Sequence, residues 1–149
     1  AEVTEAALQL TFQELFSQNV VLEGMVLKPN MVVPGKHCGQ QNSVAEVAEM
    51  TVKVLRRHVP GAVPGIAFLS GGQSEVEATA HLNAMNSLGE MPWQLSFSYG
   101  RALQASALQA WRGSADNVPA AQAALAHRAR MNGLARRGEY SENMEQDAA

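Results

Sequence analysis

Lys28 is the residue whose type and position most directly suggest chemistry. It follows an almost entirely apolar run, 20–27, and Pro29 comes next, which disfavours a helix for the residue before it. We therefore predict a strand over 20–27 that is covered on both faces and ends at a partly desolvated lysine. A neutral lysine amine attacks a carbonyl and forms a Schiff base, whose iminium stabilises a carbanion on the adjacent carbon. A lysine that simply extends to solvent at a strand end is the alternative that the residues leave open.

Two turns that contain glycine follow the next two apolar runs. Ser70, Gly71 and Gly72 form the first turn, and Gly100 and Arg101 belong to the second. Glycine lets backbone amides approach an anion, the helix N-terminus behind the turn adds its dipole, and a guanidinium pairs well with phosphate. Their occurrence on successive strands favours a shared phosphate site, although ordinary strand-to-helix turns explain them equally well.

The elements that must position these residues alternate between helix and strand. Parallel strands joined by right-handed crossovers follow from this order, so the carboxyl ends of the strands meet at one edge, where sites form. The fold is therefore predicted to be α/β. A complete eight-stranded barrel takes about 250 residues, more than this sequence holds. The predicted strands are 20–27, 65–69 and 94–98, and the predicted helices are 3–16, 43–59, 74–88, 101–111 and 117–138.

Composition excludes several classes of function. The net charge of −3 provides no basic field for nucleic acid, and no apolar run approaches the about 20 residues of a membrane span. One cysteine, Cys38, permits no intrachain disulfide, and the acidic opening does not resemble a signal peptide, so we expect a cytoplasmic protein. His37 and Cys38 have no second pair for a zinc site, so no metal or other cofactor is expected.

The remaining charged residues are interpreted as structural. We expect His58, His81 and His127 to be surface or hydrogen-bonded histidines. Residues 141–149 are predicted to form a flexible acidic tail after a folded unit over 1–140. The arginines interpreted as helix-surface charges are Arg56, Arg57, Arg128, Arg130, Arg136 and Arg137.

Three segments resemble class I fructose-bisphosphate aldolases. Segment 20–31, VVLEGMVLKPNM, resembles the active-site segment of the family, with its Schiff-base lysine at Lys28. Segment 68–75, FLSGGQSE, resembles the seventh strand and a phosphate loop, and segment 97–104, FSYGRALQ, resembles the eighth strand and a second phosphate loop. The resemblance extends to about Tyr140 and implies strands six to eight of a (β/α)8 TIM barrel, with the terminal helices.

The resemblance also implies an activity and a set of site residues. The family cleaves fructose 1,6-bisphosphate reversibly to dihydroxyacetone phosphate and glyceraldehyde 3-phosphate without a metal, in glycolysis and gluconeogenesis, and its members are commonly homotetramers. Lys28 would form the iminium, and Gly72 would shape the first phosphate loop. The residues expected to bind the ketone-side phosphate are Ser70, Gly71, Gly100 and Arg101.

The sequence departs from the pattern of the family in ways that keep other functions open. Met25 and Val26 stand where a threonine and a leucine are usual, and the first five strands, with their acid/base residues, are absent from this sequence. The alternatives are a non-catalytic fragment that binds sugar phosphate and a structural piece that completes a barrel with a partner chain. A three-stranded wedge leaves sheet edges open, so we expect self-association or low stability.

Overall fold

The computed structural model describes residues 1–35 and 37–148. Helix α1, Glu2–Ser17, leads to strand β1, Val26–Leu27, and helix α2, Val44–His58, follows. Strand β2, Gly65–Phe68, precedes helix α3, Glu75–Asn86, and strand β3, Gln94–Phe97, precedes helix α4, Arg101–Trp111. Helix α5, Val118–Ala135, completes the series, and 3-10 helices lie at Leu22–Gly24, Ala115–Asn117 and Glu142–Ala148. The alternating α/β order predicted from the sequence is confirmed.

The strands form one parallel sheet in the order β1-β2-β3. Leu27 is in register with Ile66, and Ile66 with Leu95, so alternate side chains of the three strands point to one face. That face is buried in a single apolar cluster with residues of α2 and α3 such as Leu55 and Leu82. The helices therefore cover this face of the sheet and hold its strand ends in a fixed register.

The opposite face of the sheet carries exposed side chains. Val26 is 63% exposed, Leu69 is 40% exposed and Gln94 is exposed. This surface, which we call the open face, is where a barrel interior would lie if further strands continued the sheet. By strand alternation Lys28 falls on the same face as Val26.

The prediction of a strand over 20–27 is wrong for its first six residues. Leu22–Gly24 forms a 3-10 helix, in which Gly24 N–H donates to Val21 O at 3.2 Å, and only Val26 and Leu27 pair with β2. The physical reason lies in the neighbouring strand: β2 begins at Gly65, opposite Val26, so earlier residues have no backbone partner there.

The helix starts follow the sequence signals closely. Ser43 and Ser74 each accept a hydrogen bond from the backbone three residues on, and Glu46 and Glu77 reach back to complete capping boxes. Helix α2 ends at His58, two residues before Pro60, as predicted. Within residues 1–35 and 37–148, no helix combines the length and apolar character that a membrane crossing requires.

The C-terminal segment differs from the predicted loose tail. Residues Glu142–Ala148 form a 3-10 helix, and Glu145 binds both terminal nitrogens of Arg128, at 2.8 and 2.7 Å. Ala149, the last residue of the predicted tail, lies outside the described residues. The interpretation of Arg128 as a surface charge is wrong. Only 5% of this residue is exposed, because Glu145 and Thr79 of α3 enclose it.

Candidate functional site

Backbone hydrogen bonds join the carboxyl ends of the three strands beyond the strands themselves. The amide of Leu69 donates to Pro29 O at 2.9 Å, and the amide of Ser98 donates to Phe68 O at 2.9 Å. The segment after Lys28 is thereby tied to the residue that follows β2, and the last residue of β2 to the residue that follows β3. The three sequence motifs therefore meet at one edge of the sheet, as parallel topology predicts.

Lys28 lies at this edge with an exposed side chain. The expectation of a partly desolvated amine is not met in this chain. The reason is the open face: residues that would cover the lysine from the other side of the sheet do not occur among the described elements. Lys28 is exposed at the same edge of the sheet as the two glycine turns, so a carbonyl compound can reach its primary amine.

The turn Ser70, Gly71 and Gly72 has the conformation that glycine permits. Gly71 has φ +61° and Gly72 has φ +87°, values that L side chains adopt only with strain. Gln73 N–H donates to Ser70 O at 3.0 Å and closes the turn, while Ser70 itself is 8% exposed. Both glycines are exposed just before the N-terminus of α3, where an anion is favoured by the helix dipole.

The second turn brings a guanidinium to the first. Gly100 is the N-cap of α4 and Arg101 is its first residue. A Cβ placed on Gly72 would lie 3.9 Å from Nη2 of Arg101, so the arginine lies against the first turn. Two helix N-termini and one exposed cation therefore converge, which is the chemistry of an anion site.

Gln73 and His81 are residues of this region that the sequence analysis did not assign to the site. Gln73 Nε2 donates to Ser70 O at 2.8 Å, and Gln73 Oε1 lies 2.5 Å from Nδ1 of His81, which is 7% exposed. The sequence signals for Gln73 are its place directly after Gly72 and its inclusion in segment 68–75. Nothing in the sequence pairs it with His81, because the contact joins a turn to the second turn of a helix.

The described residues show what else could hold a ligand. In the part of the chain that the structure describes, no group of three or more His, Cys, Asp or Glu side chains could hold a metal ion. An apolar groove of about 380 Å³ lies between α4 and α5 and is lined by residues that include Leu108, Trp111 and Leu125. None of the predicted site residues lines this groove. The strand edge with Lys28 remains the candidate site.

Comparisons with known proteins agree on one family. The family described as glycolytic fructose-bisphosphate aldolase class-I matches residues 1–149. A probable fructose-bisphosphate aldolase class 1 of Xylella fastidiosa (strain 9a5c) is 54% identical over 140 residues, which are 93% of this chain and 42% of that protein. Fructose-bisphosphate aldolase C of Rattus norvegicus is 56% identical over 139 residues, which are 93% of this chain and 38% of that protein.

A solved structure agrees in fold as well as in sequence. Fructose-bisphosphate aldolase from Plasmodium falciparum, solved in a ternary complex with TRAP and a small-molecule inhibitor, superposes with a TM-score of 0.91 at 50% identity. The alignment covers 93% of this chain and 40% of the Plasmodium chain. The prediction of part of a TIM barrel is confirmed, and the chain spans about 40% of the length of the relatives it matches. This chain belongs to the class I fructose-bisphosphate aldolase family.

Proposed function

We propose that this chain provides the Schiff-base lysine and the phosphate site of an enzyme that cleaves fructose 1,6-bisphosphate reversibly. The products are dihydroxyacetone phosphate and glyceraldehyde 3-phosphate. The observation that carries the proposal is the convergence of Lys28, the turn at Gly71 and Gly72, and Arg101 on one edge of the sheet, with the arginine 3.9 Å from a Cβ placed on Gly72. Family membership supports the same assignment.

Each residue of the edge has a role in this chemistry. The Nζ of Lys28 attacks the ketone carbon, and loss of water gives an iminium. The iminium accepts the electron pair of the carbon–carbon bond as that bond breaks, the aldehyde leaves, and the resulting enamine is then protonated and hydrolysed to release the ketone product. The residues proposed to bind the ketone-side phosphate are Ser70, Gly71, Gly72, Gly100 and Arg101. The groups that move protons are not assigned to this chain.

The cellular setting follows from the family resemblance. We place the enzyme in glycolysis and gluconeogenesis in the cytoplasm, as a homo-oligomer that is a tetramer by resemblance. Its partner is a small sugar phosphate, and no nucleic acid or membrane is required. The Schiff base itself needs no metal or organic cofactor, because the iminium formed on Lys28 accepts the electrons of the broken bond.

Borohydride trapping tests the proposed nucleophile. The chain is incubated with dihydroxyacetone phosphate, reduced with borohydride and digested, and the adduct is located by peptide mass spectrometry. We expect an adduct on Lys28 that disappears in Lys28→Met and persists in the control Lys53→Met, since Lys53 is an exposed lysine on α2 outside the site. Competition between fructose 1,6-bisphosphate and fructose 1-phosphate for the same adduct gives the substrate preference.

The open face supports a second candidate function. A chain whose sheet presents Val26 and Leu69 to solvent is suited to complete a barrel with another polypeptide, or to bind sugar phosphate without turnover. No adduct on Lys28 in a folded sample would contradict the leading proposal and favour this one. An adduct that forms only after the missing strands are supplied as a separate chain would identify barrel completion.

A further inference from the structure

Gln73 occupies a junction between the phosphate turn and the segment that carries Lys28. Its Nε2 donates to Ser70 O at 2.8 Å and also lies 3.5 Å from the sulfur of Met31, which is fully enclosed three residues after Lys28. Its Oε1 lies 2.5 Å from Nδ1 of His81 on α3. One side chain therefore contacts the turn of Ser70, Gly71 and Gly72, the segment after Lys28 and helix α3.

The contacts fix the orientation of the amide and the tautomer of the histidine. Ser70 O can only accept, so the atom of Gln73 that faces it must be the donor Nε2. Oε1 then faces His81, and Nδ1 must carry the proton that it donates. Burial lowers the pKa of His81 against the opposing charge of Glu77, so the neutral ring carries its one proton on Nδ1 near pH 7.

The hydrogen bonds also explain the shape of the turn. Ser70 O accepts both the backbone N–H of Gln73, at 3.0 Å, and its side-chain Nε2, at 2.8 Å. Held by two donors, this carbonyl cannot rotate toward the site, where its oxygen would repel an anion. The positive φ values of Gly71 and Gly72 are thereby maintained between two anchored residues.

We propose that Gln73, oriented by the Nδ1–H of His81, is a positioning residue that holds the turn of Ser70, Gly71 and Gly72 in its phosphate-binding conformation and couples it to the segment of Lys28. The inference rests on the proposed function, because that function supplies the phosphate. Gln73 and His81 act on the turn and make no contact with the reacting carbon.

The first test measures phosphate affinity and trapping together. Inorganic phosphate is titrated into the wild type, Gln73→Leu, His81→Leu and His81→Asn, and each is also trapped with dihydroxyacetone phosphate and borohydride. We expect the leucine variants to bind phosphate roughly tenfold more weakly, a loss of about 1.4 kcal/mol. They should still form the Lys28 adduct at saturating dihydroxyacetone phosphate. The ketone concentration that gives half-maximal trapping should therefore change more than the maximal rate of trapping. His81→Asn keeps an N–H donor and should restore wild-type affinity.

The second test reads the tautomer directly and does not require a variant to fold. Long-range ¹H–¹⁵N correlation spectra of the wild-type chain distinguish an Nδ1–H from an Nε2–H imidazole. We expect His81 to be the Nδ1–H tautomer, with the exposed His37 as the internal reference for an unconstrained ring. An Nε2–H tautomer at His81 would overturn the inference.

The outcomes separate this inference from the proposed function. A wild type that traps the ketone on Lys28, together with leucine variants of unchanged phosphate affinity, refutes the positioning role and leaves the function intact. A folded wild type that neither binds phosphate nor forms an adduct refutes both. Equal losses in His81→Leu and His81→Asn contradict the hydrogen-bond argument, because asparagine retains the donor.

Discussion

At the scale of single residues, Glu145 connects the C-terminal segment to the helical layer. It accepts hydrogen bonds from Arg128, and from Tyr140 at 2.8 Å, and lies 3.1 Å from His127 Nε2. Burial raises the pKa of Glu145, but the hydrogen bonds from Arg128, Tyr140 and His127 outweigh it and hold that pKa below its usual value. The carboxylate therefore stays charged opposite a guanidinium that has little access to water.

Glu145→Gln should destabilise the chain strongly. It leaves the buried guanidinium of Arg128 without its anion, and breaking one partner of such a pair costs on the order of 3 kcal/mol. Glu139→Gln is the matched control, since Glu139 pairs with Arg137 at 2.8 Å on the surface, where such a pair contributes about 1 kcal/mol or less. Denaturant unfolding compares the two variants, and equal midpoints would contradict the assigned role of Glu145.

His81 should give the stability of the chain a pH dependence of predictable sign. Burial lowers the pKa of His81 in the folded state below the usual 6.5. Between these two pKa values the unfolded state binds a proton and the folded state does not, so protonation favours unfolding. This contribution to stability is complete above pH 6.5 and is lost as the pH falls from there toward the folded pKa. Subtracting the unfolding free energies of His81→Asn from those of the wild type across this range isolates it. A difference that does not vary with pH would refute the argument.

The sequence predicts some residues of the site better than others. Lys28, the glycines and Arg101 stand at strand ends, so a local pattern and the order of elements predict that they meet at one edge of the sheet, while their proposed roles come from the family resemblance. The burial of Arg128 was not predictable, because its partner Glu145 lies 17 residues away and outside any helical spacing. Gln73 was missed for a similar reason, since its proposed role depends on a contact with His81, eight residues further along the chain, which forms only in the folded arrangement of the turn and α3.

At the scale of elements, the capping boxes of α2 and α3 form a natural pair of experiments. Ser43→Ala and Ser74→Ala each remove an N-cap hydroxyl, and each should cost about 1 kcal/mol of stability. Only Ser74 begins the helix that follows the turn proposed to bind phosphate, so only Ser74→Ala should also weaken phosphate binding. Thermal unfolding and phosphate titration of both variants check this. Equal phosphate affinities would refute a contribution from the start of α3.

The helices were predictable and the first strand was not, for a physical reason. Each helix carries its own signals in capping residues, periodic apolar positions and stop residues such as Pro60. An apolar run such as 20–27 becomes strand only where a neighbouring strand accepts its backbone bonds. In this chain β2 provides backbone hydrogen-bond partners from Gly65 onward, so the strand begins at Val26. The preceding residues Leu22–Gly24 form a 3-10 helix instead.

At the scale of the whole molecule, the open face predicts self-association. Val26, 63% exposed, and Leu69 present apolar surface beside the unpaired edge of β1, a combination that favours contacts between copies. Sedimentation should show a mass that increases with concentration. Val26→Lys should reduce it, while Val3→Lys, at a position on α1 that is 85% exposed and lies outside the open face, should not. A monodisperse monomer that unfolds cooperatively would contradict the prediction.

The bonds from Leu69 to Pro29 O and from Ser98 to Phe68 O determine how the backbone at the site exchanges with solvent. In deuterium-exchange mass spectrometry, these two amide hydrogens should be retained far longer than the exposure of the Leu69 side chain suggests, because each is held at 2.9 Å by a carbonyl of the neighbouring segment of the sheet. Side-chain cover and backbone protection are therefore separate properties in this chain. A partner that covered the open face would change the first and leave the protection of these two amides almost as it is.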